Sequence, residues 1–132
     1  MPESHGAFPG QNYVSLVTFR KDGREVATPV WFAEEEGRIW AYSERDAGKV
    51  KRLRNQSRIR LAPCTGIGTV TGPWREGSGR IVEDAEGFRR GIDALGRKYG
   101  WQFRIASILS RLTGRLRKRV VLELRLDARA PG

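Results

Sequence analysis

The chain has 132 residues, of which 39% are hydrophobic and 30% are charged, and its formal net charge is +10. This length and composition fit one folded domain with a modest core and exclude a wholly disordered chain. One cysteine and one histidine exclude an internal disulfide, a four-ligand zinc site and a Ser-His-Asp triad on a rigid element, so no metal site is predicted.

The chain begins with a segment, residues 1–12, that contains glycine and proline and that we expect to be mobile. It lacks the apolar core of a signal peptide, and nowhere does an apolar run approach the ~20 residues that span a bilayer. We therefore expect a cytoplasmic protein without membrane association. His5 lies in this segment, which argues against a haem held by a histidine ligand.

Three antiparallel strands are predicted next. Residues 13–20 and 24–33 flank Lys21-Asp22-Gly23, where Asp-Gly supplies the positive φ of a tight hairpin turn. After a second turn at residues 34–37, residues 38–44 alternate with period two.

A short helix over residues 47–55 follows, with Asp46 or Ser43 as its cap and only Val50 and Leu53 as an apolar stripe. Residues 45–60 hold seven Lys or Arg against one acid. Such a density indicates either a nearby anion or a solvated helix face, and the local pattern leaves both open.

The remaining elements are strands and amphipathic helices. Strands are predicted over residues 58–64, 66–73 and 80–82, the second one weakened by glycines. Asp84 caps a helix whose apolar face is Phe88, Ile92, Leu95 and Tyr99 and which stops at Gly100. A second amphipathic helix over residues 101–118 and a last strand over 119–127 complete the chain.

This order predicts a mainly β (α+β) fold: one domain over residues 1–132, a closed or split antiparallel barrel with a short crossover helix and two helices in its C-terminal half. A Rossmann sheet does not fit, because Gly66, Gly68 and Gly72 have a spacing one residue too long for the dinucleotide fingerprint.

Several segments together resemble the split barrels of the pyridoxamine 5'-phosphate oxidase-like, FMN-binding family, and most of all their deazaflavin (F420)-dependent branch. The segments are YVSLVTFRKDG (13–23), TPVWF (28–32), GKVKRLR (48–54) and RLAPC (60–64), with weaker support from KYGW (98–101) and VVLEL (120–124).

The resemblance implies a homodimer with composite cofactor sites at the interface and hydride transfer between F420, or alternatively FMN, and a small organic substrate. By position in the motifs, the strand that contains residues 28–31 would line the ring, and a serine and nearby cations would hold the phosphate. Two further residues belong to the strand over residues 60–64, which would lie near the interface. The implied cofactor residues are Thr28, Pro29, Val30 and Trp31 for the ring, Ser43 and Lys49 for the phosphate, Lys51 or Arg52 for added charge, and Arg60 and Pro63.

The chemistry of these residues agrees with that assignment. Pro29 cannot donate to a sheet ladder, so it marks an edge or bulge where neighbouring backbone groups are free; an edge proline that only prevents aggregation is the alternative. Lys49 lies in the first turn of its helix, where the helix dipole favours an anion. Trp31 fits a ring contact or a core or dimer contact equally well. No catalytic acid or base stands out.

Two other functions stay open, the first because of the charge and the second because it shares every sequence feature with the enzyme. One is a basic module that binds nucleic acid or an acidic surface through residues 113–119. The chain has no recognised nucleic-acid motif, and we do not expect nucleic acid as a partner. The other is a cofactor carrier without turnover. The substrate and the direction of hydride transfer are not encoded in any motif of the chain.

Overall fold

The structure is a computed structural model that describes residues 6–100 and 119–127; the side chain of Arg119 is not described. Within these residues, six strands and two helices form a barrel and its coverings. In chain order they are β1 (Tyr13–Phe19), β2 (Glu25–Glu35), β3 (Arg38–Glu44), α1 (Gly48–Asn55), β4 (Arg58–Cys64), β5 (Arg75–Val82), α2 (Ala85–Tyr99) and β6 (Arg119–Leu126).

The strands close into an antiparallel barrel in the order β1-β2-β3-β6-β5-β4. The ladder between β1 and β4 closes it, with Leu16 opposite Leu61. Closure pairs every strand on both sides over part of its length, which removes most of the exposed sheet edge. The prediction of a mainly β barrel of antiparallel strands is confirmed.

The β1–β2 hairpin forms where the Asp-Gly pair predicted it. Gly23 has φ +91°, and the Arg20 N–H donates to the Arg24 carbonyl at 2.9 Å. Only a residue without a Cβ adopts this left-handed conformation at no cost, so the turn is fixed by local sequence.

Helix α1 packs against β1 and β5 through the predicted apolar pair, since Val50 and Leu53 are both buried in the main core. Its predicted cap is wrong: Ala47 is the N-cap residue, without a side-chain hydrogen bond. Ser43 instead lies inside β3, where its hydroxyl donates to the Glu44 carbonyl at 3.3 Å.

Helix α2 packs on the outside of the barrel and begins as predicted. The Asp84 carboxylate accepts from the Gly87 N–H at 2.7 Å, and Gly100 ends the helix with φ +90°. Leu95 is fully buried against β3 and β6, while Phe88, Ile92 and Tyr99 are partly buried beside it. Neither α1 nor α2 has the length and apolar content to cross a bilayer.

Residues 66–73 do not form the predicted strand. They make a loop with a single bridge, Cys64 to Val70, because Gly68 takes φ +96°. Strand β5 therefore begins later, at Arg75, and is longer than the predicted residues 80–82. The predicted helix over residues 101–118 lies outside the described residues.

The start of the chain contributes to the core. Phe8 is buried and meets Phe32 edge-to-face at 5.9 Å between ring centroids, while the N–H groups of Ala7 and Phe8 both donate to the Glu34 carboxylate at 2.8 Å. The mobility of residues 1–12 stays a prediction, and these contacts argue against it at Phe8.

Candidate functional site

The barrel is split between β2 and β3. These strands pair only from Phe32 to Glu35 and from Arg38 to Ala41. Before Phe32, residues 28–31 of β2 pair with β1 alone among the described residues, with Pro29 opposite Ser15. After Ala41, residues 42–44 of β3 pair with β6 alone. Pro29 thus lies on a strand edge where its missing N–H breaks no second ladder.

Residues 45–47 join β3 to α1, which carries the cation Lys49 in its first turn and the cation Arg52 in its last turn. Arg52 donates from Nε to the Thr18 hydroxyl at 2.7 Å. A Cβ placed on Gly48 would come within 2.7 Å of Arg52 Nη1, so a glycine lets this guanidinium lie against the helix start.

Acids compensate these cations only in part. Burial, and then the neighbouring Arg52, lowers the pKa of Lys49, while Glu44 raises it in part. Burial, and then Arg20, lowers the pKa of Arg52. An anion bound beside these cations would oppose the repulsion of Lys49 by Arg52 and of Arg52 by Arg20, so the arrangement favours a bound anion.

Two predicted polar residues, Thr28 and Ser43, lie on the inner side of the barrel wall. Thr28 lies opposite Leu16 and two residues before the buried Val30, on the same face of β2. Its side chain is therefore on the inner side of the barrel wall. Ser43 lies two residues after the buried Ala41, on the same face of β3, and is 3% exposed. Val30 itself belongs to the core, so only its backbone is available to a ligand.

Trp31 faces outward and is held by two tyrosines. Its ring stacks on Tyr99 with centroids 5.5 Å apart and planes at 29°, and it meets Tyr13 at 6.3 Å. Even so, 47% of Trp31 is exposed. The tryptophan is therefore neither a core residue nor free in solvent: one side is supported and the other is open.

Three predicted residues do not join this group. Arg60 is engaged in ion pairs with Glu25 at 3.2 Å and Glu76 at 3.0 Å, and its guanidinium lies over the ring of Trp74. Lys51 is exposed on α1. Pro63 is half-buried opposite Val14, against Gly72.

The loop over residues 65–72 forms an apolar surface beside Pro29. Gly68 approaches the Pro29 ring, and the neighbouring Ile67 and Val70 are 91% and 39% exposed. Together with Trp31 they are the large hydrophobic side chains that the described part of the chain leaves exposed. Grouped exposed apolar residues of this kind are typical of an interaction surface.

A pocket of about 410 Å³ lies elsewhere, between the N-terminal segment and the end of α2, and none of the ten predicted residues lines it. Its lining includes Phe8, Asn12, Phe32, Glu34, Arg97 and Lys98. Spacing along the chain could not have found this pocket, because its walls come from three distant segments. Within the described residues, no three His, Cys, Asp or Glu side chains could hold a metal ion together.

Comparison with known proteins gives a family and a fold. The family model described as pyridoxamine 5'-phosphate oxidase matches residues 1–129. No curated protein matches the chain.

Solved structures with the same fold include three with different descriptions. A conserved hypothetical protein from Mycobacterium tuberculosis is 21% identical, with TM-score 0.66 over 93% of this chain and 86% of that one. HutZ, a haem storage protein from Vibrio cholerae, is 12% identical, with TM-score 0.69 over 91% and 84%. An F420 reductase is 18% identical, with TM-score 0.54 over 96% and 93%. At these identities the likeness shows the fold alone.

Proposed function

Because the chain belongs to the pyridoxamine 5'-phosphate oxidase family, we propose that it is an oxidoreductase that binds F420 and passes a hydride between this deazaflavin and a small organic substrate. The observation that carries the proposal is the pair of partly desolvated cations Lys49 and Arg52 on α1, each of which has another positive side chain nearby. FMN is the alternative coenzyme.

The phosphate end of the coenzyme would lie at α1. Lys49 and Arg52 supply charge there, the helix start supplies N–H groups, and the buried Ser43 hydroxyl lies at the end of the preceding strand. The lowered pKa values of Lys49 and Arg52 support this role, because both cations are partly desolvated with only Glu44 as a neighbouring acid that raises the pKa of Lys49.

The ring end would lie along residues 28–31. The open face of Trp31 offers a stacking surface, and the edge of β2 beside Pro29 leaves backbone groups that β3 does not pair. Backbone N–H groups at Val30 or Trp31 would stabilise negative charge on the ring.

The bound deazaflavin itself supplies the hydride chemistry. The residues of this chain bind and orient: cations fix one end of the coenzyme and β2 fixes the other. The described part of the site contains no carboxylate or histidine placed to act as a general acid or base, and hydride transfer does not require one.

Charge favours F420 over FMN. F420 carries a phosphodiester and a polyglutamate tail, and the basic face from Lys49 to Arg58, with the net charge of +10, suits a ligand more anionic than FMN. Lys51, exposed on α1, would contribute to this long-range attraction rather than to a direct contact.

We further propose that the protein is a homodimer whose interface contains Trp31, Ile67 and Val70. Their exposure would be costly in a monomer, since each buries apolar area when a partner covers it. The surface adjoins Pro29, so a second copy there would enclose the ring end of the coenzyme site.

A parallel titration tests the proposal. The purified protein is titrated with F420, FMN and haem, and fluorescence or absorbance is followed to saturation. We expect F420 to bind most tightly; saturation by haem alone would overturn the proposal, and saturation by FMN alone would transfer it to the alternative coenzyme. Turnover of bound F420 with added substrates then separates an enzyme from a carrier.

A further inference from the structure

The pocket between the N-terminal segment and α2 is distinct from the proposed coenzyme site. Its apolar walls include Phe8, Phe32 and Ala94. Lys98 of α2 also lines the pocket, and its ammonium hydrogen-bonds to the backbone of the N-terminal segment and of β2. A volume of about 410 Å³ is within the range of small-molecule sites.

Three groups fix the position of the Lys98 ammonium. It donates to the Gln11 carbonyl at 2.5 Å and to the Phe32 carbonyl at 2.8 Å, and it lies 3.6 Å from the centroid of the Phe32 ring. An ammonium has three N–H donors, so the two carbonyls leave one N–H without an oxygen acceptor among the described residues. The cation is thus held in one place with an unused donor.

The nearby acids do not neutralise Lys98. Glu34 accepts the N–H groups of Ala7 and Phe8 with its two oxygens, and Glu35 is ion-paired with Arg97. Burial lowers the pKa of Lys98 to about 8, and Glu34 opposes this only in part. A partly desolvated cation without a bonded carboxylate is a position where an added carboxylate gains a charge-assisted hydrogen bond.

We propose that this pocket binds a small organic carboxylate, a monoanion with an apolar body. Its carboxylate contacts the Lys98 ammonium, and its body packs against the apolar walls at Phe8 and Ala94. Lys98 makes no ion pair with a carboxylate within the described residues, and its one positive charge matches one negative charge. A dianion fits less well, because Glu34 and Glu35 also line the pocket and repel it. The site does not depend on the coenzyme.

The test uses benzoate as the probe, with the full chain and no coenzyme. Binding is measured by calorimetry, and the Lys98 ¹⁵Nζ resonance, assigned with Lys98→Arg, is followed against pH. We expect saturable binding, a rise in the pKa of Lys98 when benzoate is present, and at least a tenfold loss of affinity in Lys98→Gln. Lys21→Gln removes the same charge from the β1–β2 turn and should keep the wild-type affinity.

A second comparison guards against a misfolded variant. Benzyl alcohol has the same body without the charge, so wild type and Lys98→Gln should bind it equally weakly. Equal benzoate affinity in wild type and Lys98→Gln, or a Lys98 pKa unmoved by saturating benzoate, would overturn the proposal. The result is independent of whether F420 binds.

Discussion

The indole of Trp31 and the phenol ring of Tyr99 stack with their centroids 5.5 Å apart. The residue after Trp31, Phe32, donates its N–H to the Tyr99 hydroxyl across 67 positions of sequence. The same hydroxyl lies 2.8 Å from the Asn12 carbonyl and 2.9 Å from that of Phe32. Tyr99 therefore ties α2 to β2 and to the N-terminal segment, and its ring supports one face of Trp31.

The two functions of Tyr99 can be separated. Tyr99→Phe keeps the ring but removes the hydroxyl, so we expect a loss of about 1 kcal/mol in the free energy of unfolding and little change in coenzyme affinity. Tyr99→Ala removes the support of Trp31 as well and should weaken F420 binding several-fold. Urea unfolding and fluorescence titration measure the two effects; equal F420 affinity in both variants would mean that the stack is irrelevant to the coenzyme.

Lys49 should be a direct anchor of the coenzyme phosphate. Lys49→Ala removes a charge-assisted hydrogen bond, so we expect F420 binding to weaken by about 1 to 3 kcal/mol in a fluorescence titration. Lys21→Ala, which removes an equal charge from the exposed hairpin turn, is the control and should change affinity much less. A dissociation constant unchanged by Lys49→Ala would remove this lysine from the site.

Ile67 should control assembly without affecting the fold of the subunit. Because 91% of its surface is exposed, Ile67→Asp removes little packing within the described chain, but it would bury a charge in the proposed interface. We expect sedimentation to show a dimer for wild type and a monomer for Ile67→Asp. Ser78→Asp adds the same charge on the exposed face of β5 and should remain dimeric; a wild-type monomer that binds F420 tightly would contradict the composite site.

Glu123 is a buried carboxylate that three strands surround with arginines. Its oxygens lie 2.6 Å from Arg80, 2.9 Å from Arg125 and 3.3 Å from Arg38. Glu123→Gln leaves three guanidinium groups together without a counter-charge, so we expect a loss of about 2 kcal/mol, moderated by the exposure of the arginines. Glu83→Gln removes an exposed carboxylate that pairs with Arg54, and it should cost less than about 0.5 kcal/mol.

Acid should act on the fold partly through the same residue. Burial would raise the pKa of Glu123, but hydrogen bonds from Arg125 and Arg80 outweigh burial and lower it below 4.5. A carboxylate with a lowered pKa adds stability at pH values above its unfolded pKa, and this contribution is lost as pH falls through the folded value. Urea unfolding from pH 6 to pH 3 should therefore show a steeper decline for wild type than for Glu123→Gln; parallel curves would show that Glu123 does not contribute.

Much of the fold was predictable because its signals are local. The Asp22-Gly23 turn, the Asp84 cap, the stop at Gly100 and the period-two strands each depend on residues within a few positions of one another. The prediction of a strand over residues 66–73 was wrong because Gly68 takes a left-handed conformation, which the pattern of the residues around it does not reveal.

The candidate site was predictable only in part. Spacing indicated that Lys49 and Arg52 share a helix face and that Pro29 marks a strand edge, and these features of the chain are local. The sequence alone also determined the charge excess and the scarcity of histidine and cysteine, which exclude whole classes of chemistry.

The tertiary structure decided which charges are available. Arg60 belongs to the same basic run as Lys49, yet barrel closure places it against Glu25 and Glu76. Register likewise gathers three arginines on Glu123, and the docking of α2 brings Lys98 to Phe32 and Tyr99 to Trp31. Such contacts depend on how strands pair and helices pack over distances of tens of residues, and no local pattern specifies them.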